Sequence, residues 1–139
     1  MHGWIKTTGR IALVALAALN LAWGAWAVVA PAHFFGTFPG LGHSWTAAYP
    51  PFNGHLVSDL GATFLTLGVL MAIAAVLADR RVTRVVLAGV ITFNAVHLAF
   101  HLIHHGLLHG LDLTASLASL VLGVLAPVAI WIAVGPADR

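Results

Sequence analysis

Four stretches of this chain, at residues 11–30, 53–77, 82–105 and 113–134, are almost free of charged side chains. Each approaches or exceeds the ~20 residues that a helix rising 1.5 Å per residue needs to cross a hydrocarbon core. Hydrocarbon offers no hydrogen bonds, so a spanning backbone must satisfy its own polar groups, and continuous apolar runs do that as helices. With 60% hydrophobic and 7% charged residues and a mean hydropathy of +0.98, the chain is too apolar for a water-soluble domain. Its 139 residues leave room for one unit. The expectation is an all-α membrane protein, a single antiparallel four-transmembrane-helix bundle over residues 1–139, in contact with the lipid bilayer and placed as a multi-pass protein in the cell (inner) membrane.

Punctuation supports these limits. Pro31 ends the first segment, and Pro50-Pro51 with Asn53 as a cap opens the second. Asp79-Arg80-Arg81 separates the second from the third, Gly106 and Gly110 close the third, and the fourth stops before Gly135-Pro136. Lys6, Arg10 and the sequence Ala25-Trp26-Ala27 give the first segment some likeness to a secretion signal. Its apolar run exceeds the h-region of such signals, and it is expected to be retained.

Lys6 and Arg10 flank the first segment and Arg80, Arg81 and Arg84 the turn between the second and third, whereas the other two connections hold no Lys or Arg. The positive-inside rule then puts both termini in the cytoplasm and the 31–52 loop outside. Eight of the nine histidines, all but His2, fall in the outer half under this assignment. Six basic against four acidic residues, with no basic run, exclude a nucleic-acid binder despite a pI near 10.0. The absence of cysteine excludes disulfides, iron–sulfur clusters and thiolate metal sites.

The chemistry is concentrated in imidazoles. His97, His101, His104, His105 and His109 recur at helical spacing at the end of the third segment, and polar side chains at such positions face a partner rather than lipid. On the second segment His55 and Asp59 share a face, with Asp59 lying ~9 Å along the helix from Asn53, beneath the interface. The expected site therefore has His55 and Asp59 turned inward against His97, His101 and His104. Asn94, His105, Asp112, His33 and His43 are additional candidates, the last two if the 31–52 loop covers the bundle. Histidines at i and i+4 can chelate one ion, and nitrogen and oxygen ligands without sulfur suit zinc, copper or iron. Other readings remain open. Asp59 with a histidine can lock two helices together, His105 and His109 can cap the helix end, and Trp45, Tyr49, Phe34, Phe35 and Phe38 suit a membrane-interface belt.

No phosphate loop, no glutamate for a His-Glu metalloprotease motif and no Ser-His-Asp set is present, so the sequence specifies no catalytic residue. A divalent transition-metal site is the first functional expectation. A metal-free accessory subunit or small transporter with an Asp-His proton relay is the second, and bis-histidine haem b between the second and third segments is the third. A partner membrane protein or a homo-oligomer is compatible with each.

The run PPFNGHLVSDLGATFLTLGVL at residues 50–70, with APAHFFGTFPG before it and HLAFHLIHH after it, resembles a group of small four-helix bacterial membrane proteins common in actinobacteria. More distantly it is similar to DoxX-type proteins. Gly54 and Ser58 stand where that group often has an acidic and a basic residue, which removes a charge network. The resemblance implies four antiparallel helices and, through DoxX-type proteins, a link to redox physiology without an agreed chemistry.

Overall fold

A computed structural model describes residues 6–135; residues 1–5 and 136–139, including His2 and Pro136, lie outside the described residues. The elements are α1 (Thr7–Val29), α2 (Pro31–Thr37), a small antiparallel hairpin of β1 (Pro39–Gly40) and β2 (His43–Ser44), a 3-10 turn (Thr46–Ala48), α3 (Gly54–Leu77), α4 (Arg80–Ile103) and α5 (Gly110–Val134). Helices α1, α3, α4 and α5 are each long and apolar enough to cross a membrane, and they form the antiparallel bundle of an integral membrane protein.

Local chemistry sets the limits. Asn53 Oδ1 accepts from the Leu56 amide at 3.2 Å and Asp79 Oδ1 accepts from the Arg81 and Val82 amides at 2.9 and 3.0 Å, so α3 and α4 both start at side-chain caps. The Asp79 cap begins α4 two residues before the expected 82. Pro31 cannot continue the hydrogen-bond ladder of α1, but it is suited to a first turn, so the chain bends at Ala30 and restarts as α2. The 31–52 connection is therefore folded rather than extended.

Helices α1 and α3 meet backbone to backbone. A Cβ on Gly24 would stand 2.7 Å from the Gly61 carbonyl oxygen, and one on Gly68 would stand 3.0 Å from the Leu21 amide nitrogen; only glycine permits that approach. Helices α4 and α5 form the second pair. At the end carrying Lys6, Arg10, Arg80, Arg81 and Arg84, the pairs close on one another through Leu13, Met71, Leu87 and Ile130. Arg10 Nε donates to the Ala75 carbonyl at 3.0 Å, and Arg84 donates to Gly135 at 2.9 Å while lying 4.2 Å from the Trp131 ring centre. Toward the other end, the core is aromatic and one-sided. Phe34 and Phe64 pack with Trp23, Trp26 and Phe38, and Phe93 alone joins them from α4. No residue of α5 belongs to this cluster, and the two helix pairs stand apart there.

Candidate functional site

That separation leaves a cavity of about 710 Å³ whose walls come from all four long helices and whose roof is α2 with residues 45–49. Its surface is mostly apolar, with polar groups from Asn20, Tyr49, Asn94, His97, His101 and Ser116. Asn20 and Asn94 each return one amide N–H to the carbonyl four residues earlier, at 2.9 and 2.8 Å, which leaves their amide oxygens as acceptors. Gly123 of α5 faces Asn94, where a Cβ would lie 3.0 Å from Oδ1.

The most ordered polar feature is a chain of three side chains. His97 Nε2 and His101 Nε2 are 2.9 Å apart, His101 Nδ1 is 2.7 Å from the Tyr49 hydroxyl, and that hydroxyl donates to the His104 carbonyl at 3.0 Å. Helical spacing stacks the two imidazoles on one face of α4. The roof then supplies the third member. Ala48 accepts from the Leu107 amide at 2.8 Å, and Gly106, at φ +58°, lies so near Ala48 and Tyr49 that a Cβ would collide with the Ala48 carbonyl and stand 2.9 Å from the tyrosine ring. Burial denies a phenolate its water and raises the Tyr49 pKa above 10.0, so the residue stays a phenol at physiological pH.

A tyrosine hydroxyl has one proton to give, and each neutral imidazole has one N–H. When Tyr49 donates to His104, His101 Nδ1–H donates to Tyr49 and His97 Nε2–H to His101. When Tyr49 instead donates to His101 Nδ1, His101 Nε2–H donates to His97 and the remaining proton of His97 sits on Nδ1. Passing between these two arrangements moves one proton across each link and requires one proton taken up at one end of the chain and one given up at the other.

The roof is pinned a second time. Asp112 Oδ1 accepts from Trp45 Nε1 at 3.0 Å and pairs with His43 Nδ1 at 2.6 Å, tying β2 to the start of α5. His43 and Asp112, both candidate ligands by sequence, thus serve to fasten the cover. His33 accepts from Trp26 Nε1 at 2.9 Å and lies on the exposed side of α2, away from the cavity.

The expected convergence of two facing stripes is corrected. His55 Nε2 and Asp59 Oδ2 pair at 3.2 Å on their own helix, with side chains 81% and 62% exposed. The reason is the rotation of α3: Gly61 and Gly68 must meet α1 while Phe64 meets Phe93, and the 55–59 stripe is left outside. The His104 ring stacks on Phe100, His105 lies beside the Leu102 carbonyl of the last turn of α4 at 3.1 Å, as helix-end histidines do, and His109, just before α5, lies beside the Leu107 carbonyl at 3.0 Å. All three are exposed. Among the described residues no three His, Asp or Glu side chains gather as a metal-holding set. Haem between α3 and α4 would need a histidine from each helix, and the one histidine of α3, His55, points outward.

Tyr49 was not legible as a site residue: 52 residues separate it from His101, and its place beside Trp45, Pro50 and Pro51 reads as an interfacial aromatic. No protein-family model, curated protein or solved structure matches the chain, so a functional reading rests on this geometry.

Proposed function

We propose that the protein binds a lipid-soluble carbonyl compound in the covered cavity and holds its oxygen by a hydrogen bond from His97, which His101 and Tyr49 orient. The volume of about 710 Å³ lies within the range of small-molecule sites, and apolar walls with a few placed polar groups are their usual make-up. A planar carbonyl compound suits the aromatic surfaces of Trp23 and Phe38 and takes a hydrogen bond from His97. The observation carrying this reading is the unbroken chain from the surface carbonyl of His104 to the cavity wall at His97. With the protons directed inward, Tyr49 donates to His101, His101 donates to His97, and His97 Nδ1–H is left to donate a hydrogen bond to the bound oxygen. The resemblance to small bacterial four-helix proteins and the positive-inside rule extend the proposal to location: the cell membrane, with the basic end in the cytoplasm and the roof outside.

The test is binding of a naphthoquinone to untagged protein, followed by quenching of tryptophan fluorescence, since Trp23 and Trp45 line the cavity. Methylnaphthalene, which lacks the oxygens, should bind several-fold more weakly, and His97→Leu should reduce that difference, by the roughly threefold to tenfold that one hydrogen bond contributes. Equal binding of the two compounds, unaffected by His97→Leu, contradicts the reading.

A second reading has its own observation. The two Nε2 atoms of His97 and His101, 2.9 Å apart, match two nitrogen ligands of one transition metal at ~2.0–2.1 Å and an angle of about 90°. Copper or iron held so has two protein ligands and takes the rest from water or a cavity ligand, whereas tetrahedral zinc needs the two nitrogens roughly 3.3 Å apart. Elemental analysis of untagged protein, with His97→Ala/His101→Ala as the control, decides it: stoichiometric metal lost in the double variant supports this reading, and none in the wild type after mild purification and titration removes it.

A further inference from the structure

We infer that the outward face of α3 is the contact surface for a second copy of this chain. Helix α3 packs on α1 through its glycines and on α4 through Phe64. Its remaining side carries His55, Asp59, Ala62, Thr66, Val69 and Ile73, all exposed. Those positions are spaced alternately four and three residues apart, the pattern of a seam between two helices that wind around each other.

The polar end of the seam does not suit lipid. Asp59 stands about 7.5 Å along the helix from Gly54, at 1.5 Å per residue, below the depth where water is plentiful, and carboxylates within spanning helices face a partner. Its own-helix pairing with His55 involves one carboxylate oxygen and one ring nitrogen. Oδ1 of Asp59 and Nδ1 of His55 have no hydrogen-bond partner among the described residues. A lipid phosphate could meet His55 but would be set against the Asp59 carboxylate.

A second copy carries the complement to both groups. Inserted in the same direction and related by a two-fold axis along the membrane normal, it presents an identical pair, as a self-complementary interface requires. His55 of each copy then donates Nδ1–H to Asp59 of the other. When each imidazole carries a proton on both nitrogens, the two rings and the two carboxylates close a cycle that leaves no donor unmatched. Below the ring, Ala62 allows close approach, and Thr66 has already returned its hydroxyl to the Ala62 carbonyl at 2.8 Å, so it offers its methyl to the seam. Val69 and Ile73, 48% and 45% exposed, complete the apolar part. This interface is independent of the cavity, which α3 lines with Leu56, Val57, Leu60, Phe64 and Met71.

The chain has no cysteine, so single cysteines report the contact in native membranes. Oxidative cross-linking should give dimer from Ala62→Cys and Val69→Cys, and not from Val96→Cys, which is 67% exposed on α4 at a similar depth. In the Ala62→Cys background, Asp59→Asn should lower dimer formation by roughly tenfold, the effect of one or two lost inter-helix hydrogen bonds in a membrane. Exchanging the pair, His55→Asp with Asp59→His, should restore it, because the reversed pair is again self-complementary. The proposal is overturned by equal cross-linking at Val96→Cys, by cross-linking that ignores Asp59→Asn, or by monomer at both seam positions in protein with an intact helical circular dichroism spectrum; the last result would mean that lipid alone covers the face.

Discussion

The Tyr49 hydroxyl lies 2.7 Å from His101 Nδ1 across 52 residues of sequence, and this contact joins the cover of the bundle to its interior. Without Tyr49, the two imidazoles of α4 would end in an apolar chamber. With it they are connected to the His104 carbonyl at the surface, and a histidine stripe becomes a path with an outer and an inner end.

Replacing Tyr49 by Phe keeps the ring over Gly106 and removes both hydroxyl contacts. Denaturant titration in detergent should show a loss of about 1–3 kcal/mol, the range for leaving a partly buried partner unsatisfied. An unchanged midpoint would mean that the hydroxyl holds neither His101 nor His104.

Tyr49 is the only tyrosine in the chain, so phenolate absorbance titrates it alone. Its midpoint should lie above 10.0, because burial disfavours the charged form. The sign follows from linkage: the folded state holds the phenolic proton more tightly than the unfolded chain, so this contribution to stability is full below the unfolded pKa and is lost as pH rises through the folded one. A midpoint at or below 10.0 would place Tyr49 in open water.

Gly106→Ala should be costly and Gly89→Ala should not. At Gly106 the positive φ and the collision with Ala48 act together, for a loss on the order of 2 kcal/mol or more. Gly89 lies within α4 with nothing within 4 Å of an added Cβ, where alanine gains up to about 1 kcal/mol in helix propensity. Thermal unfolding of the two variants checks the contrast.

The bundle was legible because spanning helices are dictated by length and hydrophobicity, and the Asn53 cap is local. Inward placement of His97 and His101 also followed from the cost of imidazole in lipid. The rotation of α3 did not. Asp59 and Gly61 both claim the helix interior by general rules, one as a charge and the other as a small residue, and the sequence does not say which prevails. Backbone contact at Gly61 did, and Asp59 went outward with His55. The roof was equally hidden, since the contacts of Trp45 with Asp112 and of Tyr49 with His101 depend on how residues 31–53 fold back.

The proposed orientation is open to labelling. Leu41→Cys, at the fully exposed tip between β1 and β2, should react with an impermeant maleimide in intact cells, whereas Arg81→Cys at the opposite end should react only after permeabilisation. The reverse pattern would place the basic end outside, against the positive-inside rule.

The central claim is that His97 presents a proton to an oxygen held in the cavity, and the infrared carbonyl stretch of a bound naphthoquinone reads that hydrogen bond directly. Relative to the same compound in detergent, the band should move to lower frequency on binding to the wild-type protein, and His97→Leu should return it to the detergent position while the naphthoquinone remains bound. A bound compound whose carbonyl band is the same in wild type, in His97→Leu and in detergent would contradict the account.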